Sequence, residues 1–419
     1  MEKQLKKNYK LIILASLSFM LIVSVLNAKN DSAIFDETAH IPAGYSYLTR
    51  HEMRLNPEHP PLIKDLAGLP LIFMNLNFDT SKPFWTGELP RKWDEGQWAA
   101  GRHLLYEAGN DPDKIIFWSR LPIVMLSIIL GLFIFKWARE MAGLSAGLIA
   151  LILYSFDPNI LGHNHFVTTD LGIAAFITFS FYYFLKFIKN PSWKNVILSG
   201  FFVGLLQLAK FSSIIAFPIF GLATLAYALV KNSRTNDKEQ ILIKLKIIGE
   251  YLGKGIIVFA ISIIVVWIVY AANTFNSTQE TMNQVIDFNF SPADTENAKN
   301  VYTNKVLHFL NSHSITRPLT EYGIGIGYVF RRVAGGNGAY FMGQVSATAF
   351  RSYFPTVFLM KEPIPLLLMM FFSLIYALFK ILKKFSSTHG DFIRKNLHNI
   401  IHYMRTSIVE LSLFSFIVL

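Results

Sequence analysis

An all-α, multi-spanning integral membrane protein is predicted from three observations. Long apolar runs recur along the chain, the first being the unbroken LIILASLSFMLIVSVL at 11–26. Of 419 residues, 52% are hydrophobic and only 16% charged, and the mean hydropathy of +0.37 lies outside the range of soluble domains. Finally, Lys and Arg crowd into a few short segments between the apolar runs.

The spans follow in order, each measured against the ~20 helical residues that cross a bilayer core. The first run comes after Lys3, Lys6, Lys7 and Lys10 and reads as an uncleaved anchor. The rival is a signal peptide, but Leu26-Asn27-Ala28 supplies only half of the small-residue pattern that cleavage requires. Further spans are predicted at 115–135, 141–156, 171–187, 196–209, 211–230, 255–272 and 363–379. A ninth opens near residue 406 with TSIVELSLFSFIVL and stops with the chain, which points to a longer protein. The stretch 239–254, EQILIKLKIIGEYLGK, is basic and amphipathic, and is expected to lie on the membrane surface. The whole chain, 1–419, reads as a single polytopic domain with no internal repeat.

Charge sets the expected orientation, because Lys and Arg in short loops stay cytoplasmic. With the amino terminus inside, segments 1–10, 136–140, 186–194, 231–254 and 380–405 are cytoplasmic. They hold 21 of the 39 Lys and Arg in under a fifth of the chain. A long first loop (about 28–114), a short one (157–170) and a second long one (about 273–362) then fall outside, and loops of that size usually carry function. The first should contain interfacial helices near Ile41–Thr49 and Gln97–Tyr106, with Trp85, Trp93 and Trp98 suited to the headgroup level.

Several classes are excluded. The net charge of +11 is scattered among apolar segments, so no nucleic-acid partner is expected. There is no cysteine, so disulfides and thiolate zinc sites are ruled out and any metal would need His, Asp or Glu. Gly323, Gly325 and Gly327 lack the preceding strand that a nucleotide loop requires.

Chemistry concentrates in the outside loops. Asp36-Glu37 and Asn56-Pro57-Glu58-His59-Pro60-Pro61-Leu62-Ile63-Lys64 lie in the first, and the second runs from Asp157 through His163 and His165 to Asp170. Arg120 and Lys210 sit at the outer ends of spans. Carboxylates beside cations suit transfer of a sugar from a lipid phosphate: one carboxylate takes the acceptor's proton, and cations hold the departing anion. Glycosidases need a second carboxylic acid to protonate a poor leaving group, whereas phosphate leaves unaided and direct displacement inverts the anomeric centre. Structural roles compete, since Asp36 and Asp170 could cap helices and Arg120 could snorkel. The rival function is a transporter or flippase for anionic glycolipids. It would place charge near the bilayer midplane in broken spans, and here the acids lie in loops.

These elements resemble, in order, the polyprenyl-phosphate-dependent glycosyltransferases of the protein O-mannosyltransferase and aminoarabinose transferase type, within the GT-C class of membrane enzymes. Asp36-Glu37 is similar to the family's acidic pair, and His59-Pro60-Pro61-Leu62-Ile63-Lys64 to its HPPLxK segment. Arg120-Leu121-Pro122 resembles its RLP, and Asp157–Asp170 its DPxxLAHxxxVTTD loop. Tyr353-Phe354-Pro355 with Lys361-Glu362-Pro363 resembles its YFP and KxP.

The resemblance implies a GT-C fold with long extracytoplasmic loops, a polyprenyl-phosphate-linked sugar donor, and a protein, lipid or glycan acceptor. It implies Asp36 as general base, Glu37 positioning substrate or shaping the pKa of Asp36, and Asp170 as a second acidic position. Arg120 would hold the lipid phosphate, with Lys64 and Lys210 as further candidates. Glu58 and His59 match a phosphate or metal contact. Many members carry Arg where this chain has His165, a weaker phosphate ligand because it is mostly neutral at pH 7. His163 and His165 thus become candidates for a shared divalent metal.

Overall fold

The computed structural model describes residues 2–87, 96–231, 238–291, 298–335 and 338–386. Trp93 and the run from residue 406 lie outside the described residues.

The helices in chain order are α1 (Glu2–Asn30), α2 (Glu37–Arg50), α3 (Leu62–Gly68), α4 (Pro83–Thr86), α5 (Gly96–Arg102), α6 (Pro112–Ala142), α7 (Leu144–Ser155), α8 (Pro158–His163) and α9 (Thr169–Lys189). They continue as α10 (Trp193–Ala209), α11 (Ala216–Val230), α12 (Lys238–Asn273), α13 (Gln279–Asn289), α14 (Ala298–Asn311), α15 (Arg317–Gly335), α16 (Tyr353–Lys361) and α17 (Ile364–Ser386). A small antiparallel hairpin, β1 (Ala339–Phe341) with β2 (Gln344–Ser346), interrupts them. The protein is thus an all-α, multi-spanning membrane protein.

Among the described residues five helical stretches are long and apolar enough to cross a bilayer: Lys6–Asn30, Pro112–Ala142, Thr169–Lys189, Phe211–Leu229 and Ile241–Asn273. The expected spans at 141–156 and 196–209 are shorter helices, Leu144–Ser155 and Trp193–Ala209. The expected span at 363–379 belongs to a pair, Tyr353–Lys361 and Ile364–Lys380, bent by 115° at the break. The Lys361-Glu362-Pro363 motif makes that break, because Pro363 restricts the residue before it and removes a backbone donor.

One expectation fails. Residues 239–254 do not form a separate surface helix: they are the first half of the 36-residue α12. No proline interrupts the segment, so the helix continues for about 54 Å at 1.5 Å per residue. A continuous helix cannot lie flat and also cross.

Contacts gather the chain into two compact units that interleave along the sequence. Of the described residues, one unit holds those within 1–178, 204–211 and 263–354, and the other those within 179–203, 212–262 and 355–386.

In the first unit α1, α6 and α7 share an apolar core of Phe135, Leu148 and Leu151 packed by Tyr9, Ile12, Ile13 and Leu17. The α2 helix, expected to be interfacial, is packed within the protein. Its residues from Ala39 to Tyr47 are buried, and it packs against α3 and α5. Two glycines permit that approach. A Cβ at Gly44 would lie 1.9 Å from the Lys64 carbonyl oxygen, and one at Gly101 would lie 1.8 Å from that of Thr38. Trp85 is likewise buried, packed edge-on to Phe78 and under Arg54, while Trp98 stacks on Phe35 at 4.0 Å. The Gly323, Gly325 and Gly327 series lies within α15, where Gly325 faces Phe211 and Gly327 faces Phe290. It is a packing face.

The second unit is aromatic. Phe184 stacks on Phe220 at 4.2 Å and Tyr183 on Phe202 at 4.5 Å. Tyr251 donates to the Ile188 carbonyl at 2.9 Å.

Candidate active site

All the site residues expected from sequence fall in the first unit. Adjacent acids there have opposite fates. Glu37, in the first turn of α2, is fully buried and Asp36 is exposed. Glu37 Oε1 accepts from Arg120 Nε at 2.8 Å and the Val167 N–H at 3.0 Å; Oε2 accepts from Arg120 Nη2 at 2.7 Å and the Ile34 N–H at 3.0 Å. Its four lone-pair sites are filled, so it has none left to position substrate.

Arg120 is equally committed. Besides Glu37, its guanidinium donates to the carbonyls of Ala28 (3.1 Å), Asp31 (2.7 Å) and Ser32 (2.8 Å), and its face lies over the Phe166 ring. All five N–H donors are used and the side chain is fully buried. The donors expected to grip lipid phosphate are thus engaged by the protein itself: the cation binds the end of α1, the start of α2 and the 157–170 loop together.

The same loop is docked by backbone reading. Val167 gives its N–H to Glu37, and its carbonyl receives the Nδ1–H of His40 at 2.7 Å. A carbonyl only accepts, which fixes the His40 tautomer. Burial, reinforced by Lys64, lowers the His40 pKa to about 4 and keeps the ring neutral. Asn164 donates to Ser24 Oγ (2.8 Å) and Ser127 Oγ (3.2 Å). His165 is buried with Nε2 2.9 Å from Asp31 Oδ2, a partner that sequence reasoning missed. His163 is exposed and turned to the Asn159 carbonyl in its own helix. Asp157 caps α8 through the N–H groups of Asn159 and Ile160, as Asp before Pro favours.

Lys64 is also fully buried, at a position expected to reach an anion. Its Nζ contacts Tyr47 Oη (2.9 Å), the Asn56 carbonyl (2.8 Å) and side-chain oxygen (3.0 Å), and the His59 carbonyl (2.7 Å). It clamps the loop that carries Glu58 and His59. Burial pulls its pKa down to about 7 against the opposing pull of Asp65, Glu58 and Glu321. Burial likewise lifts the Asp65 carboxyl to about 7 and that of Glu321 to about 8, opposed by Lys64. Nothing in the sequence around Glu321 marks it as buried.

What remains open is a rim of charges at four helix ends. Asp36 precedes α2, Asp170 lies in the first turn of α9, Lys210 follows α10 and Arg332 ends α15. Asp170 Oδ1 takes Lys210 Nζ at 2.7 Å, and Arg332 Nη1 lies 3.5 Å from Glu58 Oε2. Each charge complements its helix dipole. Asp36 does not cap α2. Its own backbone is helical and its carboxylate makes no capping bond, whereas a capping residue is usually extended. Partial burial and Asp170 raise the Asp36 pKa, opposed by Lys210 and Arg332. His59 stands edge-on to His40 at 5.2 Å; burial and the neighbouring His40, Lys64, Lys210 and Arg332 hold its pKa well below the ordinary value.

Residues 114–267 match the model of the family described as dolichyl-phosphate-mannose-protein mannosyltransferase. That segment carries Arg120, the 157–170 loop and Lys210; the acids of the first loop lie before it. The match supports a GT-C-like membrane glycosyltransferase that draws on a polyprenyl-phosphate sugar donor. No curated protein sequence matches the chain.

For such a glycosyltransferase the rim offers an exposed carboxylate with a raised pKa beside cations that can meet a phosphate. The expected metal candidates Glu58, His59 and His163 do not assemble into a site. Among the described residues no three His, Asp or Glu side chains are grouped to hold a metal ion, and His163 is occupied elsewhere.

Proposed function

We propose that the protein transfers the sugar of a polyprenyl-phosphate donor to an acceptor hydroxyl at the extracytoplasmic membrane surface, with inversion. Asp36 is the general base. It takes the acceptor's proton while the acceptor oxygen attacks the anomeric carbon; the bond from that carbon to the phosphate oxygen breaks and its electron pair leaves with the phosphate. Lys210 and Arg332, the rim cations whose charges act on Asp36, receive the departing anion, and Asp170 orients Lys210. Glu37, Arg120 and Lys64 are positioning residues that hold the two loops bearing these groups. Mannose and a protein, the sugar and acceptor named in the family description, are the first pair to test.

The observation that carries this reading is the division of labour in the acidic pair: Glu37 is saturated by structural bonds, and Asp36 is open with a raised pKa. A positioned base contributes about 10²–10⁴ in rate. Asp36→Asn should therefore abolish release of polyprenyl phosphate from polyprenyl-phosphate-mannose by at least about a hundredfold, with normal membrane insertion and melting temperature. Near-normal release by that variant defeats the assignment, and a wild-type protein that moves the lipid without releasing its phosphate would be a flippase.

A further inference from the structure

The second unit contains a cavity of about 300 Å³ lined by α9, α10, α11 and α12. Phe184 and Phe187 face Phe217 and Phe220 across it, with Leu252 and Phe259 from α12. Among the described residues the one polar side chain in its lining, Thr224, donates to the Phe220 carbonyl of its own helix at 2.7 Å. The walls thus offer an occupant apolar contact alone. Two lining positions are bare: a Cβ at Gly221 or Gly255 would meet nothing within 4 Å. The neighbouring Leu222 and Ile256 are exposed, so the cavity opens on the lipid-facing surface of these helices.

One end of this space is cationic. Phe187 packs on Tyr251 with ring centroids 6.2 Å apart, and Lys231 Nζ donates to the Tyr251 hydroxyl at 2.9 Å, lying over that ring and the ring of Tyr227. Lys254 reaches the Pro191 carbonyl at 2.8 Å and Glu250 at 2.6 Å. Lys231, Lys246 and Lys254 all act on Glu250, so three cations surround one carboxylate. A hydrocarbon slot that ends in surplus positive charge matches a molecule with an apolar chain and an anionic head.

We propose that this cavity binds one acyl chain of an anionic phospholipid, with the headgroup phosphate against Lys231 and Lys254. The sugar donor is the wrong occupant. These lysines belong to segment 231–254, which the charge asymmetry places on the cytoplasmic side, and the donor must present its phosphate beside Asp36. The proposal rests on that topology and is independent of which residue is the base.

The test is native mass spectrometry of the full chain in mild detergent, incubated with equal amounts of phosphatidylglycerol and phosphatidylcholine bearing the same palmitoyl and oleoyl chains. The wild type should retain phosphatidylglycerol preferentially. Lys231→Gln and Lys254→Gln should each cut that retention about fivefold and leave phosphatidylcholine unchanged, and Gly221→Phe should lower retention of both lipids. Equal retention of the two lipids by the wild type overturns the proposal, as does full retention by Gly221→Phe. So does displacement of phosphatidylglycerol by polyprenyl phosphate at the Gly221-sensitive site. If Gly221→Phe melts early, the lysine variants decide alone. Polyprenyl phosphate release is read on the same lysine variants and should persist, so failure here is distinct from failure of the Asp36 assignment.

Discussion

Arg120→Met should unfold the outer architecture before it touches catalysis. The guanidinium is fully buried and spends two bonds on Glu37 and three on the carbonyls of Ala28, Asp31 and Ser32. Removing one partner of a buried ion pair costs about 3–5 kcal/mol, because the other charge is left uncompensated. The orphaned carbonyls add to this, although such losses are not additive. A loss of about 4 kcal/mol is a large share of an ordinary folding stability of roughly 5–15 kcal/mol. In a unit of this size it corresponds to a drop of about 10 °C in melting temperature. The measurement is thermal unfolding by tryptophan fluorescence in one detergent at fixed pH, paired with KM for the donor. The double variant Glu37→Met, Arg120→Met should melt above Arg120→Met, since apolar side chains replace both charges. An Arg120→Met protein with wild-type melting temperature and a raised donor KM would refute the reasoning and return the guanidinium to the phosphate role suggested by the sequence.

Two further outcomes follow from the site. Asp36 acts as a base only when ionised, so kcat/KM should rise with pH through an apparent pKa above the ordinary carboxylate value. Asp170→Asn removes a neighbouring negative charge and should move that limb to lower pH, whereas Lys210→Gln removes a positive one and should move it higher; superimposable limbs would show that another group titrates. Gly44→Ala should lower the melting temperature, because its Cβ would fall 1.9 Å from backbone that cannot yield, at a cost of about 1–3 kcal/mol or more. Gly162→Ala on α8, where nothing lies within 4 Å, is the control and should melt as wild type.

The elements legible in the chain are those whose signal is local. The apolar runs at 11–26, 115–135 and 171–187 became α1, α6 and α9, because bilayer burial rewards hydrophobicity residue by residue. Asp157-Pro158 announced the cap of α8 for the same kind of reason, since a cap involves only its own first turn. The end of a helix was less legible: α12 runs through 238–273 because a change from amphipathic to wholly apolar composition does not break the backbone. Trp85 shows the limit for side chains. Aromatic residues suit headgroups and loop cores equally, and its partners Phe78 and Arg54 are set by the folding of the loop.

The candidate site divides along the same line. By itself the sequence determined that this is an all-α membrane protein whose acids, imidazoles and lysines gather in loops between spans, because charge is expelled from hydrocarbon wherever it falls in the chain. It could not say which charges face water. Asp36 and Glu37 are neighbours of the same chemistry, yet one is exposed and the other meets Arg120, 83 positions away. Lys64 and Arg120 look like anion ligands in sequence and are consumed by carbonyls and a carboxylate in the fold. Arg332 is carried by α15 to the rim beside Glu58. Only tertiary structure decides such roles, since a hydrogen bond to a charged group depends on contacts a few ångströms long between residues that sequence separation leaves unrelated.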